Sequence, residues 1–305
     1  MKALQDLEIF VRTVDSGSLS ASARALHITP AAASAALKRL EAELQATLLV
    51  RSTRSLRVTP EGALFLEHCR SALNTLEQGR QALFTGRGQV QGVLRLSASS
   101  DLGRNLLVPW LDAFGQQHPQ VRFRLQLSDR MADVYSDPVD AAFCYGEPPD
   151  SKLVALPVAP ETRRVLCASP VYLAQRGIPQ TPQELTEHDG LCFMLGQDID
   201  NRWSFWRDGQ ESIVRVCGGH IANDGDVVRR WAVAGRGVAY KAQIDVADDL
   251  AQGRLVALCT DWLTEPEPLY MVLPARGQLT PALRLLREFV ALQCEGLQAP
   301  KSAGL

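Results

Sequence analysis

Two groups of residues in this chain have the types and spacing of a nucleic-acid-binding surface. The first is a helix-like stretch, HITPAAASAALKRLEAEL, at residues 27–44, and the second is the arginine-rich RSTRSLR at residues 51–57. Arginine and lysine side chains bind phosphate groups, and small residues allow a helix backbone to approach base edges closely. The chemistry that this pattern favours is contact with double-stranded DNA.

The first stretch has the signals of a helix that starts at Thr29 and Pro30. Threonine suits the N-cap, and proline suits the first helical position, where a missing N–H costs nothing. A helical wheel predicts a core stripe made of Ala33, Leu37, Leu40 and Leu44. The opposite face begins with small residues and becomes basic one turn later. The candidate DNA contacts on and before this helix are Ser18, Thr29, Pro30, Ala31, Ala32, Ser34, Ala35, Lys38 and Arg39.

Alanine is also the best helix former, so the alanines alone would fit an ordinary helix. The neighbouring elements favour the DNA-binding interpretation. Apolar residues recur at helical spacing over 4–14, Gly17 breaks that helix, and Ser18 caps a short helix over 19–26. Two helices joined by a short turn form a helix-turn-helix, in which the helix from Pro30 is the recognition helix. Two short strands near 48–50 and 56–58 then form a wing whose candidate phosphate contacts are Arg51, Arg54 and Arg57.

The next predicted element is a long helix that begins at Thr59–Pro60. Its apolar positions alternate steps of three and four, which indicates a short coiled-coil seam interrupted by Arg80. The alternative is that this face packs on its own domain. The candidate dimer contacts are Leu66, Leu73, Leu76 and Leu83. The segment 85–92, TGRGQVQG, is expected to be a flexible joint.

Composition limits the other function classes. The length of 305 residues suggests two domains, and residues 1–90 carry a formal charge of +3 within a chain of net charge −2. The N-terminus does not read as a signal peptide, and no apolar run is long enough for a membrane span. Seven cysteines occur singly, which argues against a disulfide framework or a zinc site and fits a reducing cytoplasm.

Short apolar runs from residue 92 onward read as strands, with helices between many of them. The expected strands are 93–98, 121–127, 139–145, 165–168, 191–195, 214–217, 237–240, 255–258 and 269–273, and the expected helices are 104–117, 225–234 and 281–294. Alternation of strands and helices predicts an α/β fold with mainly parallel sheets. The whole chain is therefore expected to be an α+β multidomain protein.

The order of these parts resembles a LysR-type transcriptional regulator. The resemblance lies in SGSLSASARALHITPAAASAALKRLEAEL followed by LLVRSTRSLRVTPEG, about sixty contiguous residues with the family's spacing. It implies a winged helix-turn-helix domain at 1–60, a linker and dimerisation helix at 61–90, and an effector-binding domain at 91–305. Pro30-Ala31, Ala33 and Ala35 depart from the family's usual residues in the recognition helix. The loss of a long side chain at Ala35 predicts reliance on thymine methyls, the wing and DNA shape.

The family's effector domain is similar to a periplasmic binding protein, with two subdomains, two crossover strands and a ligand cleft between them. The expected subdomains are 92–160 with 266–305, and 161–265, with the crossovers near 158–163 and 264–269. Ligands in such folds lie at the carboxyl ends of strands and at helix N-termini, where anions are favoured. The candidate effector contacts are Ser99, Ser100, Ser128, Tyr145, Gly146, Phe193, Asn223 and Lys241. Each serine alone also fits an N-cap, and a surface position is the alternative for Lys241, which we expect to pair with a ligand carboxylate.

The resulting prediction is a DNA-binding transcriptional regulator that is modulated by a small anionic effector and assembles as a dimer or a dimer of dimers. The alternatives are a small-molecule-binding protein or an α/β enzyme with an appended DNA-binding module. The sequence contains no nucleophile elbow, Walker loop or His-Glu-x-x-His motif, and no catalytic residue, metal or cofactor is expected. The histidines are isolated, and Asp248-Asp249 reads as a pair of surface acids. A transporter's solute-binding protein does not fit a chain with a DNA-binding module.

Overall fold

The computed structural model describes residues 2–51, 56–85, 90–129, 139–148, 153–274 and 279–298. These residues fall into two units, Met1–Gly88 and Gln89–Leu305, close to the division expected after the linker helix. Arg54 and residues 86–89 of the expected joint lie outside the described residues. None of the described helices is long and apolar enough to cross a bilayer.

Local capping signals define the helices of the N-terminal unit. Gly17 ends the first helix at a φ of +60°, the Ser18 hydroxyl accepts from the Ala21 N–H, and the Thr29 hydroxyl accepts from the Ala32 N–H. The predicted helix-turn-helix and wing are confirmed. The elements are α1 (Lys2–Ser16), α2 (Leu19–Ala25), α3 (Pro30–Leu44), the antiparallel strands β1 (Leu49–Arg51) and β2 (Leu56–Val58), and α4 (Pro60–Thr85).

The core of this unit gathers residues from all four helices and the wing. Phe10 is fully buried at its centre, and α3 contributes Ala33, Ala36, Leu37 and Leu40. The expected core stripe is therefore wrong at its last position. Leu44 is exposed because α3 ends there and the chain reverses through Gln45, at a φ of +51°, to enter the wing.

The beginning of α4 lies tightly against the wing. A Cβ at Gly62 would stand 2.2 Å from the Leu48 carbonyl oxygen, so this helix can pass the strand only as glycine. One turn further along α4, Leu66 is buried with Cys69 in the core of its own unit, and Leu73 packs partly against that core. The assignment of Leu66 to a dimer contact is thus corrected, because its apolar surface is already used within the unit.

The C-terminal unit consists of two subdomains, as expected. Subdomain I has a five-stranded sheet in the order β4-β3-β5-β16-β6, in which β3 is parallel to β4 and β5, and β16 is antiparallel to β5 and β6. Its elements are β3 (Gly92–Ala98), α5 (Ser100–Leu102), a π-helical turn (Gly103–Leu107), α6 (Val108–Gln117), β4 (Val121–Leu127), β5 (Ala141–Tyr145), β6 (Val154–Ala159), β16 (Leu269–Leu273) and α10 (Pro281–Gln298). The apolar faces of α6 and α10 complete its core.

The elements of subdomain II are β7 (Arg164–Ala168), α7 (Pro170–Arg176), a 3-10 helix (Pro182–Glu187), β8 (Asp189–Leu195), β9 (Asp198–Asp200), β10 (Arg202–Arg207), β11 (Gln210–Arg215), β12 (Cys217–Ala222), α8 (Gly225–Val233), β13 (Val238–Ala242), a 3-10 turn (Gln243–Val246), α9 (Ala247–Ala251), β14 (Val256–Ala257) and β15 (Leu263–Thr264). They form a second mixed sheet in the order β12-β8-β13-β7-β14, with β9 paired to β8. A separate antiparallel sheet, β11-β10-β15, packs Trp203 and Phe205 against it.

The expectation of mainly parallel sheets is wrong. Each large sheet contains antiparallel neighbours because β16 returns from subdomain II into the first sheet and β7 enters the second from the first. The single expected strand at 214–217 is also divided between β11 and β12. The expectation treated every apolar run as part of a repeating βαβ unit and therefore missed the antiparallel sheet around β10.

The two expected crossover segments lie side by side between the subdomains. The Arg164 N–H donates to the Glu265 carbonyl at 2.8 Å, and the Glu267 N–H donates to the Thr162 carbonyl at 2.7 Å. The Arg164 guanidinium binds Asp200 and Glu267, each at 2.6 Å, and lies over the Tyr240 ring. These crossover segments form the hinge between the subdomains. The strands β3, β4 and β5 belong to the sheet on one side of it, and β13 belongs to the sheet on the other.

Candidate functional site

The leading end of α3 presents a surface of small side chains. Pro30, Ala31, Ala32 and Ala35 are exposed, and the exposed Lys38 follows one turn later. The helical wheel predicted this exposure for Ala31, Ala35 and Lys38. Thr29 is exposed at the N-cap, while Ser18 and Ser34 are half-buried. A helix with this profile can bring its backbone close to base edges and place a cation near phosphates.

Arg39 has a structural partner inside its own unit. Its guanidinium binds the Asp6 carboxylate with two hydrogen bonds, of 2.8 and 3.2 Å, which join α3 to α1. The arginine is half-exposed, whereas the aspartate side chain is almost buried. Arg39 therefore fixes the position of the recognition helix, and a phosphate contact would be an addition to that role.

The wing is anchored by Glu41, which was not among the predicted DNA-binding residues. The Glu41 carboxylate accepts from the Leu48 and Leu49 N–H groups, at 2.8 and 3.1 Å. Glu41 is the acid of the RLE sequence at the end of the recognition helix, which was the signal available for it. The backbone of Arg51 pairs with Leu56, Arg57 is exposed on β2, and Arg54 lies outside the described residues.

The second candidate site is the cleft between the two subdomains of the C-terminal unit. The Ser100 hydroxyl donates to Asp129 Oδ2 and lies 3.1 Å from Asp224 Oδ1 on the opposite side. The Gly225 N–H, at the start of α8, donates across the cleft to Ser100 Oγ at 3.0 Å and to Asp129 Oδ2 at 2.7 Å. These bonds join subdomain I directly to subdomain II.

A second set of bonds crosses the cleft beside the first. Arg104, in the π-helical turn, binds Asp224 at 2.8 Å and lies 3.5 Å from Asp226. The Asn105 amide donates to Asp101 at 2.8 Å and to Asp226 at 3.0 Å. Burial alone would raise the pKa of Asp224, but its hydrogen bonds, led by that from Arg104, lower it. Wide π-helical turns are frequent at functional sites, and this one places both side chains at the cleft.

A buried chain of ionisable groups forms the floor of the cleft. Lys241 Nζ lies 2.6 Å from Asp101 Oδ2 and 3.7 Å from Asp245 Oδ2, and it donates to the Gly225 carbonyl at 3.0 Å. The Tyr145 hydroxyl donates to Asp245 Oδ1 at 2.5 Å. Asp101 and Tyr145 belong to subdomain I, whereas Lys241 and Asp245 belong to subdomain II. The chain is therefore a second polar connection between the subdomains.

Burial and neighbouring charge shift these groups in defined directions. Burial, with the charge of Asp101, raises the pKa of Asp245 to about 7. Burial alone would lower the pKa of Lys241, but the carboxylates of Asp101 and Asp245 outweigh it and raise that pKa. Burial and the adjacent Asp245 raise the pKa of Tyr145 well above its ordinary value. Lys241 thus stays charged, and Asp245 holds its proton more tightly than an exposed carboxyl does.

Lys241 lies between the two subdomains, and its partner in the structure is a residue of the same chain. Its side chain is 11% exposed and faces the cleft, so the surface alternative is wrong. The carboxylate that it binds is that of Asp101, which comes from the same chain. A buried ammonium needs a counter-charge, and the protein supplies one here without a ligand.

The remaining expected effector residues lie around this network with different degrees of contact. Ser99 Oγ is buried without a hydrogen-bond partner among the described residues, and the Ser128 N–H donates to the Ala98 carbonyl at 3.0 Å. Gly146 follows Tyr145 at a φ of +74°. Phe193 pairs with Ala222 at the ends of β8 and β12, and Asn223 is exposed just before α8. Ser100, Tyr145 and Lys241 are the expected residues that enter the network itself.

The acidic residues of the network were missed. They are Asp101, Asp129, Asp224, Asp226 and Asp245. Arg104 and Asn105, which bind some of them, were missed as well. The segment NDGD before α8, with Asp224 as N-cap, was the sequence signal for two of them. Asp249, expected at the surface, is buried between Arg229 and Arg254, at 2.6 and 2.5 Å. In the described part of the chain, no group of His, Cys, Asp or Glu side chains is arranged to hold a metal ion.

Comparisons with known proteins agree with both units. Residues 4–63 match the family model of bacterial regulatory helix-turn-helix proteins of the lysR family, and residues 87–295 match that of the LysR substrate binding domain. A probable HTH-type transcriptional regulator, LtrA of Klebsiella pneumoniae, is 36% identical over 264 residues, which cover 86% of this chain and 84% of LtrA. The regulator DmlR of Escherichia coli is 30% identical over 94% of this chain and 93% of its own.

A solved structure covers both domains. CrgA, a LysR-type transcriptional regulator from Neisseria meningitidis, superposes with a TM-score of 0.60 at 29% sequence identity. The match covers 96% of this chain and 98% of CrgA, so it includes both the helix-turn-helix domain and the two-subdomain domain.

Proposed function

The chain belongs to the LysR family of transcriptional regulators, and on this basis we propose that its C-terminal cleft controls its action on DNA in response to a small molecule. The family consists of regulators rather than enzymes, and its members bind DNA and small-molecule effectors and form oligomers. Its action on DNA would take place in the cytoplasm. The cross-cleft hydrogen bonds of Ser100 and Gly225 are the observation that carries the proposal.

The DNA contact is proposed for the exposed end of α3 and the wing. Ala31, Ala32 and Ala35 would allow the helix to lie deep in the major groove and touch thymine methyl groups, and Ser34 would hydrogen-bond to a base. Lys38 and Arg57 would bind phosphates, with Arg51 and Arg54 extending this contact along the wing. The small side chains support this role because they leave the helix backbone accessible on that face.

The regulatory step is proposed as a change in the two subdomains' arrangement. An effector that enters the cleft must replace or reinforce the bonds that Gly225 and Arg104 make across it. Such a ligand can shift the equilibrium only by the difference between its affinities for the two arrangements. Lys241 and Arg104 are already paired with aspartates. A carboxylate effector would therefore act by displacing one of these aspartates and binding the cation in its place.

Self-association is proposed to use the part of α4 beyond the unit's own core. Leu76 lies on the helix with 52% of its surface exposed, whereas Leu66 is only 8% exposed. An exposed leucine on a long helix next to a DNA-binding module suits a dimer that binds two half-sites. Leu83 has the corresponding sequence position two turns later, although its side chain lies outside the described set.

A footprint on the intergenic DNA upstream of the protein's own gene tests the regulator function, at two salt concentrations. We expect a protected palindromic site whose protection weakens as salt rises, because phosphate contacts release counterions. Lys38→Ala should weaken the protection without changing the site. Absence of specific protection at moderate salt, with and without candidate effectors, would contradict the proposal. A ligand that binds but changes neither affinity, footprint nor DNA bend would contradict the regulatory step alone.

A further inference from the structure

The buried chain in the cleft has one more carboxylate than its cation can match. Lys241 Nζ lies 1.1 Å closer to Asp101 than to Asp245, at 2.6 against 3.7 Å. The side chains of Asp101 and Asp245 are 2% and 4% exposed, so water cannot compensate the second negative charge. With both carboxyls ionised, the group of three carries a net charge of −1 in a buried position, and with one protonated it is neutral.

We propose that the Tyr145–Asp245–Lys241–Asp101 chain is a proton-linked latch, in which one proton on Asp245 favours the arrangement with the two subdomains in contact. The proton would act as an effector in its own right at the cleft. This inference rests on the proposed function for its consequence on transcription, but the proton linkage itself involves only the C-terminal unit.

Asp245 is the member of the chain that carries the proton, because its second partner, the Tyr145 hydroxyl, can bond to either an ionised or a protonated carboxyl. Asp101 is held by the closer ammonium and by the Asn105 amide, which are both donors to an ionised carboxylate. Asp245 has the more distant ammonium and the Tyr145 hydroxyl, and a hydroxyl can either donate to a carboxylate or accept from a carboxylic acid. Neutralising Asp245 therefore removes the excess charge at the smallest loss of hydrogen bonding.

Five titratable groups face Asp245 from other elements. They are Tyr145 on β5, Lys241 on β13, Asp101 on α5, Glu267 on the returning crossover and Cys294 on α10. Burial raises the pKa of Cys294 to about 12, and the pKa values of Tyr145 and Lys241 are also raised. Asp245, with a pKa raised to about 7, changes its charge between pH 6 and 8.

The direction of the pH effect follows from the raised pKa. With the subdomains apart, Asp245 faces water and is expected to titrate near its ordinary pKa of about 3.9. Contact between the subdomains therefore takes up a proton, and its stability falls as pH rises from about 4 to about 7 and is constant above. The equilibrium constant for contact should decrease about tenfold between pH 6 and pH 8.

Amide hydrogen exchange at the start of α8 measures this equilibrium in the full-length protein, without DNA or effector. The Gly225 N–H is protected by Ser100 and Asp129 of the other subdomain, so its exchange reports separation of the two. After correction for the intrinsic effect of pH on exchange, we expect its protection factor to fall about tenfold from pH 6 to pH 8. Asp245→Asn should keep the high protection at both values, because the amide cannot ionise.

Asp248→Asn is the matched control, since Asp248 is an exposed carboxylate three residues away that binds Gln252 and Arg254. It should retain the pH dependence of the wild type. A second variant, Tyr145→Phe, removes a donor to the ionised carboxylate and should move the midpoint to higher pH.

Equal protection at pH 6 and pH 8 in the wild type would overturn the latch. So would a pH dependence that persists unchanged in Asp245→Asn, because another group would then carry the proton. If Asp245→Asn does not fold, Tyr145→Phe decides: an unshifted midpoint in the pH dependence of Gly225 protection would overturn the latch. A protein that shows the linkage yet leaves DNA unprotected would refute the proposed function and keep the latch.

Discussion

The ammonium nitrogen of Lys241 lies 2.6 Å from Oδ2 of Asp101, and the two residues belong to different subdomains of the effector domain. Both side chains are buried, and each is the other's closest charged neighbour in the buried chain of the cleft. The pair joins α5 to the end of β13, across the cleft in which a ligand is expected from the sequence. The contact therefore links the geometry of the cleft to the stability of the domain.

Removal of one partner of this pair should be costly. Lys241→Met leaves the Asp101 and Asp245 carboxylates buried without a cation, and we expect a loss of about 3–5 kcal/mol in the free energy of unfolding. The double variant Lys241→Met with Asp101→Leu should recover much of it, since Asp245 is then the remaining carboxyl of the chain and can become neutral by keeping its proton. Urea unfolding of the four proteins of this double-mutant cycle measures the coupling, and strictly additive effects would contradict the pairing.

Gly62 and Gly79 lie on the same helix and should respond oppositely to alanine. At Gly62 a Cβ would stand 2.2 Å from the Leu48 carbonyl oxygen, so Gly62→Ala should destabilise the N-terminal unit by about 1–3 kcal/mol. At Gly79 the space around a Cβ is open, and alanine should stabilise the helix by about 1 kcal/mol. Thermal unfolding of the two variants is the measurement. Equal effects would mean that the wing does not approach α4 as closely as described.

Lys38 and Arg39 are neighbours with different expected roles. Lys38→Ala should leave stability unchanged and reduce the slope of log affinity against log salt by about 1, because one phosphate contact is lost. Arg39→Ala should also destabilise the unit, by about 1–2 kcal/mol, since the nearly buried Asp6 loses both hydrogen bonds. Fluorescence anisotropy with operator DNA and urea unfolding separate the two effects. A salt slope unchanged in Lys38→Ala would exclude the phosphate contact.

Ala35 offers a test of how the operator is read. A long basic side chain introduced by Ala35→Arg should add a direct contact to guanine and change the preferred sequence in a binding-site selection. Ala42→Arg, on the same exposed side of α3 but about two turns beyond Ala35, is the control and should leave the preferred bases unchanged. An Ala35→Arg variant with the original preference would count against entry of this part of the helix into the groove.

Leu66 and Leu76 distinguish folding from assembly along α4. Leu66→Ala should cost about 2–5 kcal/mol of stability, because the side chain is buried in the core of its own unit. Leu76→Ala removes an exposed side chain, so it should leave the stability of the unit nearly unchanged and weaken self-association. Sedimentation equilibrium and urea unfolding check both. A Leu76→Ala protein with unchanged self-association would exclude this leucine from the dimer contact.

The local elements of the N-terminal unit could be predicted because their causes are local. The N-caps Ser18 and Thr29 and the break at Gly17 act within four residues, and the apolar spacing of α1 and α3 defines their buried faces. The failure at Leu44 came from an effect outside the helix, namely the chain reversal at Gln45. The assignment of Leu66 to a dimer contact failed for a similar reason, since periodicity identifies an apolar face without saying which surface covers it.

Residues at the cleft could be predicted only in part. The rule that ligands lie at strand ends led to Ser100, Tyr145 and Lys241, and these residues do meet there. The aspartates that bind them were overlooked, because an acidic side chain in a sequence resembles any solvated charge. The burial of Asp249 between two arginines was missed for the same reason.

The sequence by itself therefore determined the helix-turn-helix, its wing and the linker helix, since caps and apolar periodicity act through near neighbours. The two-subdomain organisation of the C-terminal unit was predicted from the family resemblance. Only the tertiary structure decided that Lys241 binds Asp101 and that Leu66 is buried. Those outcomes depend on which distant surfaces exclude water from a side chain, and the charge state of Asp245 follows from that exclusion. The counter-charge of a buried cation is set by which residues lie next to it in space, and Asp101 lies 140 positions from Lys241 in the chain.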